Sequence, residues 1–90
     1  MHFEYDPEKS AINKAKHGID LIEAQVIWFG SFITVPLGSG HGEERQAVFG
    51  VVGEKHWTAI TTIWGGSIRI ISVRRSRVKR EAYYECKKED

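Results

Sequence analysis

Residues 45–75 read RQAVFGVVGEKHWTAITTIWGGSIRIISVRR, and this stretch decides the fold. Two runs rich in β-branched and aromatic residues, Arg45 to Val52 and His56 to Trp64, flank Gly53-Glu54-Lys55, the composition of a tight connection between antiparallel strands. Gly65-Gly66 supplies the next turn and Ser67 to Val73 the next strand. Working backwards, Gly38 to Gly42 is a loop, and Phe32 to Leu37 is a strand that Pro36 confines to an edge or a strand end. Apolar residues occupy both alternating sides, Ala47, Phe49 and Val51 against Val48 and Val52, so the sheet is expected to be covered on both faces or to join another subunit. Strict alternation would put Arg69, Ile71, Val73 and Arg75 on one face and Ile68, Ile70, Ser72 and Arg74 on the other.

Outside the sheet the pattern turns helical. His2 to Tyr5 reads as a short edge strand, and Asp6-Pro7 as an N-cap followed by proline at the first helical position. That helix runs to about Lys16, with Ile12, Ala15 and the following Ile19 as its apolar stripe, Lys9, Asn13 and Lys16 on the other side, and Gly18 as the stop. Asp20 to Glu23 has the form of a capping box and opens a second helix to about Trp28. Ser76 caps a last helix from Arg77 to about Lys87, with Val78, Ala82 and Tyr83 turned inward. The expected fold class is α+β: a small antiparallel sheet of three to four strands with two N-terminal helices and one C-terminal helix. Ninety residues bury one core, so a single domain over 1–90 is expected.

Composition narrows the function classes. At 41% hydrophobic and 28% charged, the chain is too apolar for disorder. The longest stretch without a formal charge, Ala24 to Gly42, is broken by Gln25, Gly30, Thr34 and Pro36, so no membrane span is expected. The start, with His2, Glu4 and Asp6, lacks a basic and then apolar leader, which points to the cytoplasm. Cys86 is a lone thiol with no partner for a disulfide or a zinc site. A formal net charge of +1 hides a segregation. Arg69, Arg74, Arg75, Arg77, Lys79 and Arg80 are six basic residues in a window without an acidic one, which leaves 13 − 6 = 7 basic against 12 acidic residues elsewhere. Arginine's planar fork suits phosphate, so a phosphate-bearing ligand is the first partner to consider, with a solvated basic helix offset by acidic neighbours as the alternative.

The paired arginines end a strand where a helix begins, and guanidinium forks beside free backbone N–H groups suit a phosphodiester and its more negative transition state. Pairing of Arg74 and Arg75 with Glu4, Glu43 or Glu44 is the competing structural role. Candidate bases are His17 with its neighbour Lys14 at the end of the first helix, where a cation complementing the helix C-terminus is the alternative role, and Glu44 beside Arg45, where a charged strand end facing water is the alternative; His41 and His56 carry no distinguishing pattern. Tyr83 and Tyr84 adjoin the basic helix, where one ring can stack on a base while the other packs inward. No His or Cys spacing fits a metal, no cofactor motif is present, and no Gly-x-Ser-x-Gly or phosphate loop occurs.

Taken together, Tyr5-Asp6-Pro7-Glu8-Lys9, Asn13, Lys16-His17-Gly18-Ile19, Glu23-Ala24, Glu43-Glu44-Arg45, the run Ile68 to Arg75 and Tyr84 resemble the BrnT family, toxins of bacterial type II toxin–antitoxin pairs. The resemblance implies a RelE-like fold and a ribonuclease that arrests translation. It also implies a BrnA-like ribbon-helix-helix antitoxin, with operator DNA contacted only through that partner. Ser76-Arg77, Arg80-Glu81 and Phe29-Gly30 depart from the family pattern. The expected chemistry is metal-independent attack of the ribose 2′-OH on phosphorus, with a base from His17, Lys14 or Glu44. Arg45, Arg74 and Arg75 hold the charge, while Arg69, Arg77, Lys79, Arg80 and Tyr84 bind RNA. A non-catalytic module that binds nucleic acid or a partner through the same basic face is the alternative.

Overall fold

The computed structural model describes residues 2–38 and 42–88. One sheet has the strand order β1-β5-β4-β3-β2, with β1 at Phe3–Glu4, β2 at Ile33–Gly38, β3 at Arg45–Val52, β4 at Lys55–Trp64 and β5 at Ser67–Arg75. Helix α1 spans Pro7–His17, a 3₁₀ segment Glu23–Phe29, and helix α2 Val78–Lys87. Strands β2 to β5 pair antiparallel in sequence, but β1 runs parallel to β5, with Phe3 opposite Ile68. The expected antiparallel sheet of three to four strands with two N-terminal α-helices is therefore corrected to a five-stranded mixed sheet with one N-terminal α-helix. Two residues of β1 carry no periodicity, and parallel pairing depends on where a distant strand lies rather than on local sequence.

The second correction has a cause in spacing. The capping box forms: Asp20 Oδ1 accepts from the N–H groups of Ile22 and Glu23 at 2.9 and 2.7 Å, and Glu23 Oε1 accepts from Asp20 N–H at 2.9 Å. The segment it opens is 3₁₀ rather than α-helical, with Gln25 N–H donating to the Ile22 carbonyl. Leu21, Ala24 and Ile27, at most 1% exposed, recur every third residue, and a helix of three residues per turn stacks them on one side. That side presses on the sheet so closely that Gly50 has no room for a Cβ, which would lie 2.6 Å from Ile27 Cγ2. Gly50→Ala is expected to cost about 1–3 kcal/mol through overpacking. In an Ile27→Ala background the same change should cost less, because the opposing methyl is gone. Thermal unfolding of the wild type and the three variants of this cycle checks it, and equal costs in both backgrounds would refute the close contact.

Both sheet faces are covered. On the first, Leu21, Ala24, Ile27 and Trp28 pack on Val48, Trp57, Ala59, Ile70 and Val73. On the second, Tyr84 of α2 packs with Ala47 and Phe49, flanked by Ile33, Val35, Val51 and Ile60. Of the apolar stripe expected along α1, Ile19 just beyond the helix is buried at 3%, and Lys9 and Lys16 are exposed as expected, but Ile12 is 56% exposed and Ala15 is exposed, whereas Ser10 and Asn13 are buried. The helix is attached by polar groups to a strand edge, because β1 covers only the first part of β5 and leaves the backbone at Val73 without a strand partner on that side.

The alternation expected along β5 is also overturned. Ile60 pairs with Ser72 but Thr61 pairs with Ile70, so Ile71 is an extra residue in the ladder. The bulge switches parity. Ile68 and Ile70 join Val73 on the first face, and Arg69 falls on the second face with Ser72 and Arg74.

Candidate functional site

At the end of β5 the chain turns through Ser76 into α2, and a cleft of about 720 Å³ opens between the helix N-terminus and the second face of the sheet. Its floor is Thr58, Ile60 and Ser72; its walls carry Arg74, Arg75, Arg77, Lys79 and Arg80. No carboxylate is among the lining residues. Pairing of Arg74 and Arg75 with Glu4, Glu43 or Glu44 is not what the structure shows: Glu43 Oε1 lies instead 3.4 Å from Arg45.

The helix N-terminus contributes to this field. Ser76, the expected cap, shares a hydrogen bond of 2.8 Å with the Thr58 hydroxyl, and the N-cap position falls to Arg77, which makes no side-chain capping bond. The N–H groups of the first turn are thus free of a side-chain cap where the cleft begins. Arg74 and Arg75 play different parts, since neighbours on a strand point to opposite faces. Arg74 stands opposite Thr58 on the cleft floor, while the Arg75 guanidinium lies 5.6 Å over the ring of Trp57, a member of the first-face core. Arg80 reaches back over Phe49 at 5.4 Å.

The remaining candidates lie elsewhere. Lys14 and His17 sit on α1, outside the cleft. The Lys14 ammonium hydrogen-bonds Glu23 Oε1 at 2.7 Å, which raises its pKa above the ordinary lysine value and lowers that of Glu23. A lysine held protonated in this way is the opposite of a base. Arg45 begins β3, with Glu44 just before it, at the far end of the sheet, the end that Arg69 shares through its pairing with Thr62. The residues of β4 opposite Arg69 and Arg74, Thr62 and Thr58, are four apart, roughly 13 Å. Of the expected catalytic set, the cleft therefore gathers Arg74 and Arg75 and not Lys14, His17, Glu44 or Arg45.

Helix α2 turns the other way from its expected orientation. Val78 is 80% exposed, Ala82 is exposed and Tyr83 is 42% exposed, while Tyr84 is 5% exposed and its hydroxyl donates to the Ser31 carbonyl at 2.9 Å. Tyr84 is thus an anchor of α2 and not a ring free to stack on a base. Beside it lies a residue that no sequence pattern distinguishes: His56, whose ring nitrogen is 2.8 Å from Glu85 Oε2 and whose ring meets Tyr84 edge-on at 5.6 Å. This bond and that from Lys88 lower the Glu85 pKa. The signal available was alternation, which sets His56 on the same side of β4 as Thr58 and Ile60. His41 lies outside the described residues.

No helix of the described residues is long and apolar enough to cross a membrane. No individual curated protein matches the chain. The family model described as the ribonuclease toxin, BrnT, of type II toxin–antitoxin systems matches residues 5–80, which takes in every strand from β2 to β5, the cleft floor and the arginines of its walls. A match over that much of the chain places it in the BrnT family of ribonuclease toxins.

Proposed function

We propose that the cleft at the N-terminus of α2 is where this toxin binds and cleaves RNA. The observation that carries the reading is the convergence of four arginines and a lysine, with no carboxylate, on a helix start that lacks a side-chain cap. Guanidinium groups and free N–H donors are a matched set for a phosphodiester, and their stabilisation increases as phosphorus becomes five-coordinate and more negative. In the proposed step the ribose 2′-oxygen forms a bond to the adjacent phosphorus as its proton passes to solvent water, and the bond to the 5′-oxygen breaks as that oxygen takes a proton from water. The products are a 2′,3′-cyclic phosphate and a 5′-hydroxyl. Arg74, Arg77 and Arg80 hold the charge, Arg75 and Lys79 add to the field at the margin, and no metal is required. Positioning and charge stabilisation carry the step in place of a base from Lys14, His17 or Glu44.

The purified chain acting on an end-labelled RNA in excess EDTA is expected to give 5′-hydroxyl and cyclic phosphate ends. Ends bearing 3′-hydroxyl and 5′-phosphate, or activity lost with the chelator, would overturn the mechanism. Cutting of RNA would inhibit translation. The antitoxin partner proposed is a BrnA-like ribbon-helix-helix protein that occludes the arginine cleft with acidic groups and alone contacts operator DNA. The cytoplasm, where such RNA is found, is the proposed compartment.

A further inference from the structure

We propose that Trp64, backed by Arg69, is a stacking subsite for a nucleobase of single-stranded RNA, a few nucleotides along β5 from the arginine cleft. The proposal rests on the cleft as the RNA site and adds a second point of contact. Trp28 and Trp57 are each 7% exposed and belong to the core; Trp64, at the close of β4, is 60% exposed. An indole 60% exposed at a strand end keeps a ring face open to a stacking partner. The Arg69 guanidinium lies 5.4 Å from the centre of the Trp64 ring, which stiffens the indole and places a positive charge beside it.

The bulge at Ile71 makes the arrangement relevant to the cleft. Without it Arg69 would point to the first face; with it Arg69 shares the second face with Ser72 and Arg74. Trp64, two residues beyond Thr62 on β4, takes the same side, since Thr62 is the residue opposite Arg69. One face thus carries the cleft at one end and an aromatic ring with its own cation at the other, with roughly 13 Å of strand between Arg69 and Arg74. An extended RNA strand of a few nucleotides spans that length.

A hollow of about 460 Å³ borders Trp64 on the side of Thr62, Glu43 and Glu44. The carboxylates there repel phosphate and accept hydrogen bonds from the N–H groups of a base. They turn the sugar–phosphate backbone toward Arg69 and the base toward the indole. Stacking on an aromatic side chain accepts any base, because every base has a π face.

The test is binding of a fluorescently labelled, uncleavable 2′-O-methyl RNA oligomer to the full chain and to Trp64→Ala and Trp64→Phe, each confirmed as folded by its thermal transition. Trp64→Ala is expected to weaken binding roughly 5- to 150-fold. Trp64→Phe should recover part of that, and the slope of log K against log salt should stay unchanged, since no phosphate contact is lost. An abasic residue walked along the oligomer should cost the wild type, at one position, what Trp64→Ala costs, and cost that variant nothing more. Equal affinity of wild type and Trp64→Ala, absence of binding by either, or a shallower salt slope in the variant overturns the subsite. Because the oligomer is not cleaved, this result is independent of whether the cleft performs the chemistry: a chain that binds through Trp64 yet cuts no RNA would sink the cleavage mechanism alone.

Discussion

Arg74→Ala is expected to lower RNA cleavage by roughly 10²- to 10³-fold, the loss typical of removing one donor aimed at transition-state charge. Arg74 lines the cleft at the strand position opposite Thr58 of its floor. Its exposure means that truncation changes stability by no more than about 0.5 kcal/mol, and the variant's thermal transition should overlay that of the wild type. Arg74→Lys should recover only part of the rate, because an ammonium supplies charge without the bidentate fork. Arg75→Ala is expected to lose less, since its guanidinium is spent on the Trp57 ring. Lys14→Ala should retain activity, because Lys14 belongs to the ion pair with Glu23. The measurement is single-turnover cleavage by identically prepared proteins, so that a contaminating nuclease appears in all of them. Equal rates for wild type and Arg74→Ala would remove the cleft from the chemistry.

The contrast between Arg74 and Lys14 shows what can be read from sequence here. The basic window between Arg69 and Arg80 was legible as a single charged region because charge segregation is a local property, and most of it does line one cleft. The bounds of β3 and the hairpin turns on either side of β4 were legible too. Glycines at 53, 65 and 66 sit where positive φ is needed, and the runs between them alternate. What the sequence hid were features fixed by residues far apart in the chain. Ile71 looks like any other β-branched strand residue, and only the register against Thr61 and Ile60 makes it a bulge that moves Arg69 to the other face. The candidate bases at Lys14, His17 and Glu44 rest on residue type and local spacing, and neither measure contains the distance to Arg74. Tyr84 and Tyr83 were ambiguous by helical periodicity alone; the Ser31 carbonyl, 53 residues earlier, decides which ring is buried.

Asn13 is the residue most completely misread by pattern, and its substitution carries the largest expected cost in stability. Placed on the polar side of a helix by periodicity, it is 5% exposed and works as a substitute strand. Its Nδ2 donates to the carbonyls of Ile19 and Val73, each at 2.8 Å, and its Oδ1 accepts from the Val73 N–H at 3.1 Å. Asn13→Ala leaves three buried backbone groups unpaired, and with about 1–3 kcal/mol for each such group the sum is about 3–9 kcal/mol, so a loss of at least about 3 kcal/mol is expected. For a domain of this size that is a fall in Tm on the order of 15 °C or more, and a large part of the total stability. Asn13→Asp keeps the acceptor for Val73 N–H but buries a charge and loses both donated bonds. Burial raises the folded-state pKa of that carboxyl above the unfolded value of about 3.9, so the folded state binds the extra proton and stability falls as pH rises between the two. The Asn13→Asp deficit should therefore shrink as pH is lowered from 7 toward 4, whereas that of Asn13→Ala should not. Val73 immediately precedes Arg74, so the same bonds fix the strand that presents the cleft arginine. In partly unfolded Asn13→Ala preparations, cleavage should scale with the folded fraction measured by circular dichroism. A Tm within a few degrees of wild type for Asn13→Ala would show that water satisfies these groups and that α1 is not held by this amide.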